Sequence, residues 1–299
     1  MTLLWIPVTI VAGSAQVLRN GMQAKLTRQI GTLGATQVRF IYGLPFAILF
    51  WLVAWTLIGG PMPRFTQAAT GYALLGAVTQ IAATALMLVA MTQRAFGVAY
   101  AYIKTEPVLV ALFGVLLLGD HLTALAWLGI VIATAGILVV SVDPRAWRQL
   151  FTEWQPMAVG IGSGAFFGLA SVAFRGAIVA MDGGGAFMRA LTVMVVVLII
   201  QSLMLGTWLL LKDRRAFTGS LRIWRESLVA GFMGALATAC WNTALSLTAA
   251  ANVRTLGLVE MPIAGWFNHR VSGTPLSPRE WAGTLIVMAG IGLLMTQAI

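Results

Sequence analysis

The chain has 299 residues, of which 59% are hydrophobic and only 9% charged, and its formal net charge is +10; its mean hydropathy is +0.89. A soluble domain carries about a quarter charged residues, so this composition excludes a soluble fold. The single cysteine, Cys240, excludes an intramolecular disulfide and a cysteine-built metal site. The basic excess does not mark a nucleic-acid binder, because Lys and Arg sit in short connections between apolar runs, where lipid headgroups account for them.

Apolar runs of about 20 residues, the length that crosses ~30 Å of hydrocarbon as a helix, recur along the whole chain. They predict an all-α membrane protein with ten spans at roughly 3–24, 33–58, 70–92, 95–118, 123–141, 156–180, 185–211, 227–248, 250–271 and 279–298. The first, "LLWIPVTIVAGSAQVL", lacks a basic n-region and a small-residue cleavage site and reads as a retained span rather than a signal peptide. Within it Gln16, Asn20 and Gln23 fall at i, i+4 and i+7 with Arg19 beside them. A polar stripe facing lipid is unfavourable, so this one points inward, either to bind substrate or to join helices. The second span carries Arg39 and the third a shorter polar pair, Gln80 and Thr84. The fourth holds "AYIKTEPVLVALFG", with Lys104 and Glu106 near mid-span and Pro107 behind them.

Further on, Gly129, Ala133 and Gly136 in the fifth span, and Gly283, Ala289 and Gly290 in the tenth, are small residues suited to peripheral packing or to a homodimer through these two helices. Gly160, Gly164 and Gly168 make two small-xxx-small steps on the sixth span, which also carries Arg175. Arg189 lies near the start of the seventh span. Trp241 and Asn242 lie within the eighth, Trp241 as core or as a ligand platform, and Arg254 and Glu260 within the ninth.

An ionised side chain at mid-bilayer costs roughly 2.5–3.5 kcal/mol on insertion scales. Arg39, Arg175, Arg189 and Arg254 lie within one or two turns of span ends, which suits either interfacial anchors whose long side chains reach headgroups or a role inside the bundle. Lys104 and Glu106 are too deep for that. On one helix they stand about 200° apart and cannot pair with each other. One is expected to line a cavity and the other to be held by a neighbouring helix, with Arg19 or Arg39 as partner for Glu106. Pro107 leaves the carbonyl of Ile103 without its usual donor, which suits a cavity wall or a packing kink. Fixed charge at this depth is expected to need a water-filled chamber.

The connections after the odd-numbered spans hold Lys25, Arg28, Arg94, Arg145, Arg148, Lys212, Arg214, Arg215, Arg222, Arg225, Arg270 and Arg279, and those after the even-numbered spans hold only Arg64. The positive-inside rule then puts both termini on the non-cytoplasmic side. The halves also repeat: Glu106-Pro107 echoes Glu260-Met261-Pro262, Arg39 echoes Arg189, and Trp127 with Gly136 matches Trp281 with Gly290 at one spacing. Residues 1–148 and 149–299 therefore read as two five-helix repeats in one integral domain. Five is odd, so the second copy is inverted, an architecture many secondary transporters share, with the site at the midplane between copies.

The stretch "EPVLVALFGVLLLGDHLTALAWLGIVIATAGILVV" resembles the fourth and fifth helices of EamA-type proteins of the drug/metabolite transporter superfamily. There a proline-containing helix enters a short Gly-acidic turn and then a Trp-Leu-Gly helix. The second half follows less faithfully, with "HRVSGTPLSPREW" in place of the tight turn. The resemblance implies a proton-coupled or facilitative exporter of small metabolites, with helices 1–4 and 6–9 around a central cavity and helices 5 and 10 peripheral. It also implies termini inside, against the charge distribution, and the charge distribution is followed here.

Nothing in the sequence announces an enzyme: there is no HExxH, GxSxG or P-loop pattern, and no cofactor or metal is expected. The reading is a secondary transporter, an exporter of a small polar metabolite such as an amino acid or organic anion, in the bacterial inner membrane and working by alternating access. Its substrate would meet Lys104, Tyr100, Gln16, Asn20, Arg19, Gln80, Trp241, Asn242 and Arg254. Glu106, Glu260, Arg39, Arg189 and Arg175 would carry a coupling proton or buried ion pairs, since a carboxyl taken out of water holds its proton more tightly. Apart from Arg270, Arg279 and Glu280 at span ends, six basic residues stand against two acidic ones within the spans, which favours an anionic group on the substrate. A cationic drug/proton antiporter and a lipid-carrier flippase are the alternatives, the latter requiring a lateral apolar opening.

Overall fold

The computed structural model describes residues 3–93, 96–142, 154–263 and 277–298. The boundary between the repeats at 148/149 and the connections carrying Arg94, Arg145, Arg148 and Arg270 lie outside the described residues.

Helix α1 (Trp5–Ile41) is broken at Gly31, whose φ of 75° and ψ of 170° belong to a region essentially reserved for glycine. Together with α2 (Gly43–Ile58) it makes a helical stretch of 54 residues, about 80 Å if straight, more than twice a bilayer core. It doubles back instead: Gln23 Nε2 donates to the carbonyl of Ala35 at 3.0 Å, across a sequence gap that a straight helix would stretch to about 18 Å. The first two spans thus meet at Gly31, several residues beyond the expected end of the first. A smaller turn at Tyr42 precedes α2, where Pro45 has no N–H to offer the carbonyl of Ile41.

The third span is α3 (Gln67–Gln93). The fourth is two half-helices, α4 (Phe96–Ile103) and α5 (Glu106–Leu118), and α6 (Ala124–Ser141) is the fifth. In the second repeat the sixth, seventh and eighth spans are α7 (Trp154–Ala180), α8 (Ala186–Lys212) and α10 (Trp224–Leu247), with the short α9 (Arg214–Arg222) between the last two. The ninth span is also broken: α11 (Ala250–Leu256) passes into a 3-10 turn (Gly257–Val259) before helix resumes over 260–263. The tenth is α12 (Pro278–Ala298). The protein is all-α, ten spans in two inverted five-helix repeats.

The packing follows the inversion. The first span lies on the eighth and the third on the sixth, two contacts that exchange under the repeat; the second lies on the seventh and the fifth on the tenth. At the last contact a Cβ on Gly129 would stand 2.6 Å from the carbonyl oxygen of Gly290, and one on Gly136 2.7 Å from the nitrogen of Val287. Only hydrogens fit there. The glycines suited to packing or dimerisation therefore pack the chain against itself, and this pair stands at the periphery as the resemblance implied. On the sixth span, Gly160 admits Tyr102 and Gly164 admits the carbonyl of Ile103, 2.7 Å from where a Cβ would lie. The small-xxx-small stripe thus seats the sixth helix against the break in the fourth.

Candidate functional site

The two helix breaks position the chemistry. Pro107 and Pro262 have no N–H, so the carbonyls four residues earlier, of Ile103 and Leu258, lack their helical donors. Each helix restarts on a glutamate, Glu106 in the first turn of α5 and Glu260 at the head of the resumed ninth span. A carboxylate is favoured there by the unsatisfied N–H groups and the positive end of the helix dipole.

The breaks cross in space, so each glutamate meets a cation of the opposite repeat. Lys104 forms an ion pair with Glu260, and Arg254 Nε lies 3.2 Å from Glu106 Oε1. Tyr100 Oη donates to Glu260 Oε1 at 2.5 Å. Tyr100 and Arg254 each stand six residues before their own repeat's glutamate, and each reaches the other's. Arg254 directs its Nε–H to Ser171 Oγ at 2.8 Å, so it holds Glu106 Oε1 by charge rather than by a hydrogen bond. It also lies 4.4 Å from the ring centre of Trp241, a cation–π contact strengthened by desolvation. Trp241 Nε1 donates to Gln16 Oε1 at 3.0 Å, and Gln16 Nε2 donates to Glu260 Oε2 at 3.3 Å. One buried network thus joins the first, fourth, sixth, eighth and ninth spans.

Two expectations are corrected here. The partner of Glu106 is Arg254, not Arg19 or Arg39: Arg19 donates through Nε and Nη2 to Asn20 Oδ1 at 3.2 and 2.7 Å, and Arg39 donates to Thr84 Oγ1 at 2.9 Å. The water-filled chamber is also not open. Gln16, Arg19, Asn20, Tyr100, Lys104, Glu106 and Arg254 line a common cavity, but it has room for only about 10 Å³ of water-sized contents, about one water. Cancellation of charge between the repeats, not bulk water, is what makes Lys104 and Glu106 tolerable at this depth.

Other candidates lie elsewhere. Gln80 accepts from Gln201 Nε2 at 2.9 Å and ties the third span to the seventh; Asn242 reaches the carbonyl of Ala190 at 3.4 Å, and Gln23 joins the first two spans. Arg189 donates to the carbonyl of Gly183 at the head of its helix. Arg175 caps the end of the eighth span through the carbonyls of Leu245 and Thr248 at 3.0 and 2.5 Å and lies 3.8 Å from Asp120. Sequence reading passed over Ser171, and also Gly13 and Gly257, where a Cβ would stand 3.1 Å from Glu260 Cβ and 2.6 Å from the Trp241 ring. A serine or glycine in an apolar run gives no sign of which neighbour it faces.

Two inverted repeats with crossed, charged helix breaks are a transporter's architecture, and comparison with known proteins agrees. The profile of the EamA-like transporter family matches residues 5–142 and 161–296, one copy in each repeat. The chain belongs to the EamA-like transporter family. Its members are transporters, not enzymes, so this EamA-like chain is read as a multi-pass membrane transporter within the drug/metabolite superfamily. A solved structure described as "Crystal structure of protein" superposes with a TM-score of 0.68 over 99% of this chain and 97% of that one, at 13% identity. That likeness speaks for the fold alone. No curated protein matches the chain.

Proposed function

We propose that this EamA-like protein is a secondary transporter that exports a small polar metabolite, an amino acid or organic anion, by alternating access. The observation that carries the reading is the pair of reciprocal charge contacts, Lys104 with Glu260 and Arg254 with Glu106, which join the two repeats through one buried network. A charge-bearing substrate that competes for these groups weakens the contact between the repeats, and the repeats can then rock about the site. The nearly filled cavity suits a closed stage of that cycle, because a metabolite fits only after the pairs part. Glu106 or Glu260 would take up a coupling proton when its cation is drawn away. We place the protein in a bacterial inner membrane with both termini outside, following the charge distribution, and keep a homodimer through the outer faces of the fifth and tenth helices as its assembly.

The test is counterflow in proteoliposomes loaded with a mixture of amino acids and organic acids. Exchange of at least one solute, reduced in Lys104→Ala and altered in pH dependence in Glu106→Gln, is the expected result. Absence of exchange for every solute would end this reading.

One observation favours a second reading. An apolar recess of about 590 Å³ opens between the first, second, seventh and eighth spans, lined by Val8, Phe50, Val53, Leu191 and Cys240 among others. A lipid-carrier flippase needs such an opening. None of the charged groups of the network lines it, so a headgroup would have no path to them, and the metabolite reading stands first. Scrambling of a labelled lipid in the same vesicles, without solute exchange, would reverse that order. A cationic drug substrate is disfavoured because both glutamates already hold cations.

A further inference from the structure

The charges of the buried network do not sum to zero. Four cations, Arg19, Arg39, Lys104 and Arg254, and two carboxylates, Glu106 and Glu260, are buried in and around the cavity. Lys104 and Arg254 take the two carboxylates. Among the described residues no carboxylate lies within ion-pair distance of Arg19 or Arg39. Arg19 is only 1% exposed and is among the largest fully buried side chains. Its guanidinium meets a single neutral acceptor, the amide oxygen of Asn20, and its Nη1 is buried without a partner. Among the described residues Arg39 donates to the hydroxyl of Thr84 and lies over the Phe40 ring, 5.7 Å from its centre, both neutral partners. The stems of both arginines converge on Gly234 of the eighth span, where a Cβ would stand 3.3 Å from Arg19 Cδ and 3.9 Å from Arg39 Cγ.

Two unbalanced guanidinium groups at membrane depth are costly unless an anion joins them. An aliphatic contact could bury the stems, but it would not require the charged heads. Arg19 also lines the cavity, with donors left over in the planar fork that matches carboxylate or phosphate oxygens.

We propose that Arg19 and Arg39, converging on Gly234, form the anion-receiving pole of the transport site, and that the substrate is a small organic dianion, a dicarboxylate or a phosphate monoester. Two negative charges offset the two unpaired guanidinium groups once the reciprocal pairs have parted to admit the substrate. Arg19 makes the direct contact through Nη1, and Arg39 adds charge from behind. This rests on the transport reading above and narrows its substrate class.

The test is the ligand-induced rise in thermal unfolding temperature of the purified full chain in detergent. The probes are succinate, glycerol 3-phosphate, leucine, and sodium chloride at matched ionic strength. A rise with succinate or glycerol 3-phosphate but not with leucine or chloride is expected, and which of the two acts separates dicarboxylate from phosphate chemistry. Arg19→Gln is expected to lose at least about tenfold in the affinity read from that rise, the weight of charge-assisted hydrogen bonds. Arg19→Lys keeps the charge without the fork and should retain part of it. Without ligand, Arg19→Gln should unfold no lower than the native protein and up to a few degrees higher, because it removes an unbalanced buried charge. A merely structural arginine would lose several degrees instead. No rise with either dianion, an equal rise with leucine, or an unchanged response in Arg19→Gln would overturn the proposal. If counterflow nevertheless detects a neutral or zwitterionic solute, transport stands and only the anion pole falls; if counterflow detects nothing, the transport reading itself has failed.

Discussion

Lys104 and Glu260 show how far a single residue's meaning depends on its partner. On the sequence alone Lys104→Ala looks like a clean probe of transport. In the structure it also leaves Glu260 buried and 0% exposed with only Tyr100 Oη and Gln16 Nε2 as donors. Removing one member of a buried ion pair costs about 3–5 kcal/mol. Lys104→Ala and Glu260→Gln should therefore each lower the unfolding temperature in detergent, and the double variant should lose less than the two single losses added together. Strict additivity in thermal melts of the four proteins would show that the pair is not formed. Transport measurements on Lys104→Ala need the double variant beside them for the same reason.

At the scale of elements, the contacts that hold the scaffold are backbone contacts permitted by glycine. Gly129 and Gly136 bring the fifth helix onto the backbone of the tenth, at 2.6 Å and 2.7 Å from where a Cβ would stand. A flexible side chain could give way at such a distance, but a helix backbone cannot. Gly129→Ala is expected to destabilise the protein by about 1–3 kcal/mol, the range for overpacking, seen as a lower melting temperature with the substrate response preserved. Gly164→Ala is different. Its Cβ would press on the carbonyl of Ile103 at the break in the fourth span, so stability and transport should fall together. If Gly164→Ala lowered stability and left the counterflow rate untouched, the break would be a packing feature only.

For the whole molecule, one end is strapped shut. Arg64 and Asp182 exchange backbone hydrogen bonds of 2.8 and 3.0 Å across the repeats, and Thr66 Oγ1 donates to the carbonyl of Ala180 at 2.8 Å. A hydrogen-bonded antiparallel pair places its Cα atoms about 5.5 Å apart, within the range a disulfide spans. In a Cys240→Ser background, Arg64→Cys with Asp182→Cys should therefore cross-link on oxidation. If the repeats rock, the cross-link should stop counterflow by at least about tenfold and reductant should restore it; undiminished exchange in the oxidised protein would argue against alternating access. The same cysteines fix sidedness. The basic connections predict that this strap is outside, so a membrane-impermeant thiol reagent should label the reduced Arg64→Cys protein in intact cells. Labelling only after permeabilisation would turn the topology over.

Much of this was written in the sequence. Hydropathy alone gave ten spans, because hydrocarbon demands about 20 apolar residues per crossing whatever the neighbours are. The odd number of spans per copy forced the inversion, and Pro107 marked the break in the fourth span, because proline removes a donor regardless of context; its echo in Glu260-Met261-Pro262 was legible as a repeat, and the structure showed the second break there. The residues at risk were legible for the same local reason: a charge amid apolar neighbours stands out. What the sequence left open was pairing. Whether Glu106 meets Arg19, Arg39 or Arg254, whether Gln16 binds or glues, and whether the glycines of the fifth and tenth helices face inward or a second copy depend on which helices touch and at what rotation. Those are set by contacts between residues more than a hundred positions apart, as between Gln16 and Trp241. The tertiary structure decided them, and it also replaced the expected open chamber by reciprocal ion pairs, since in a low-dielectric interior two opposite charges attract far more strongly than in water.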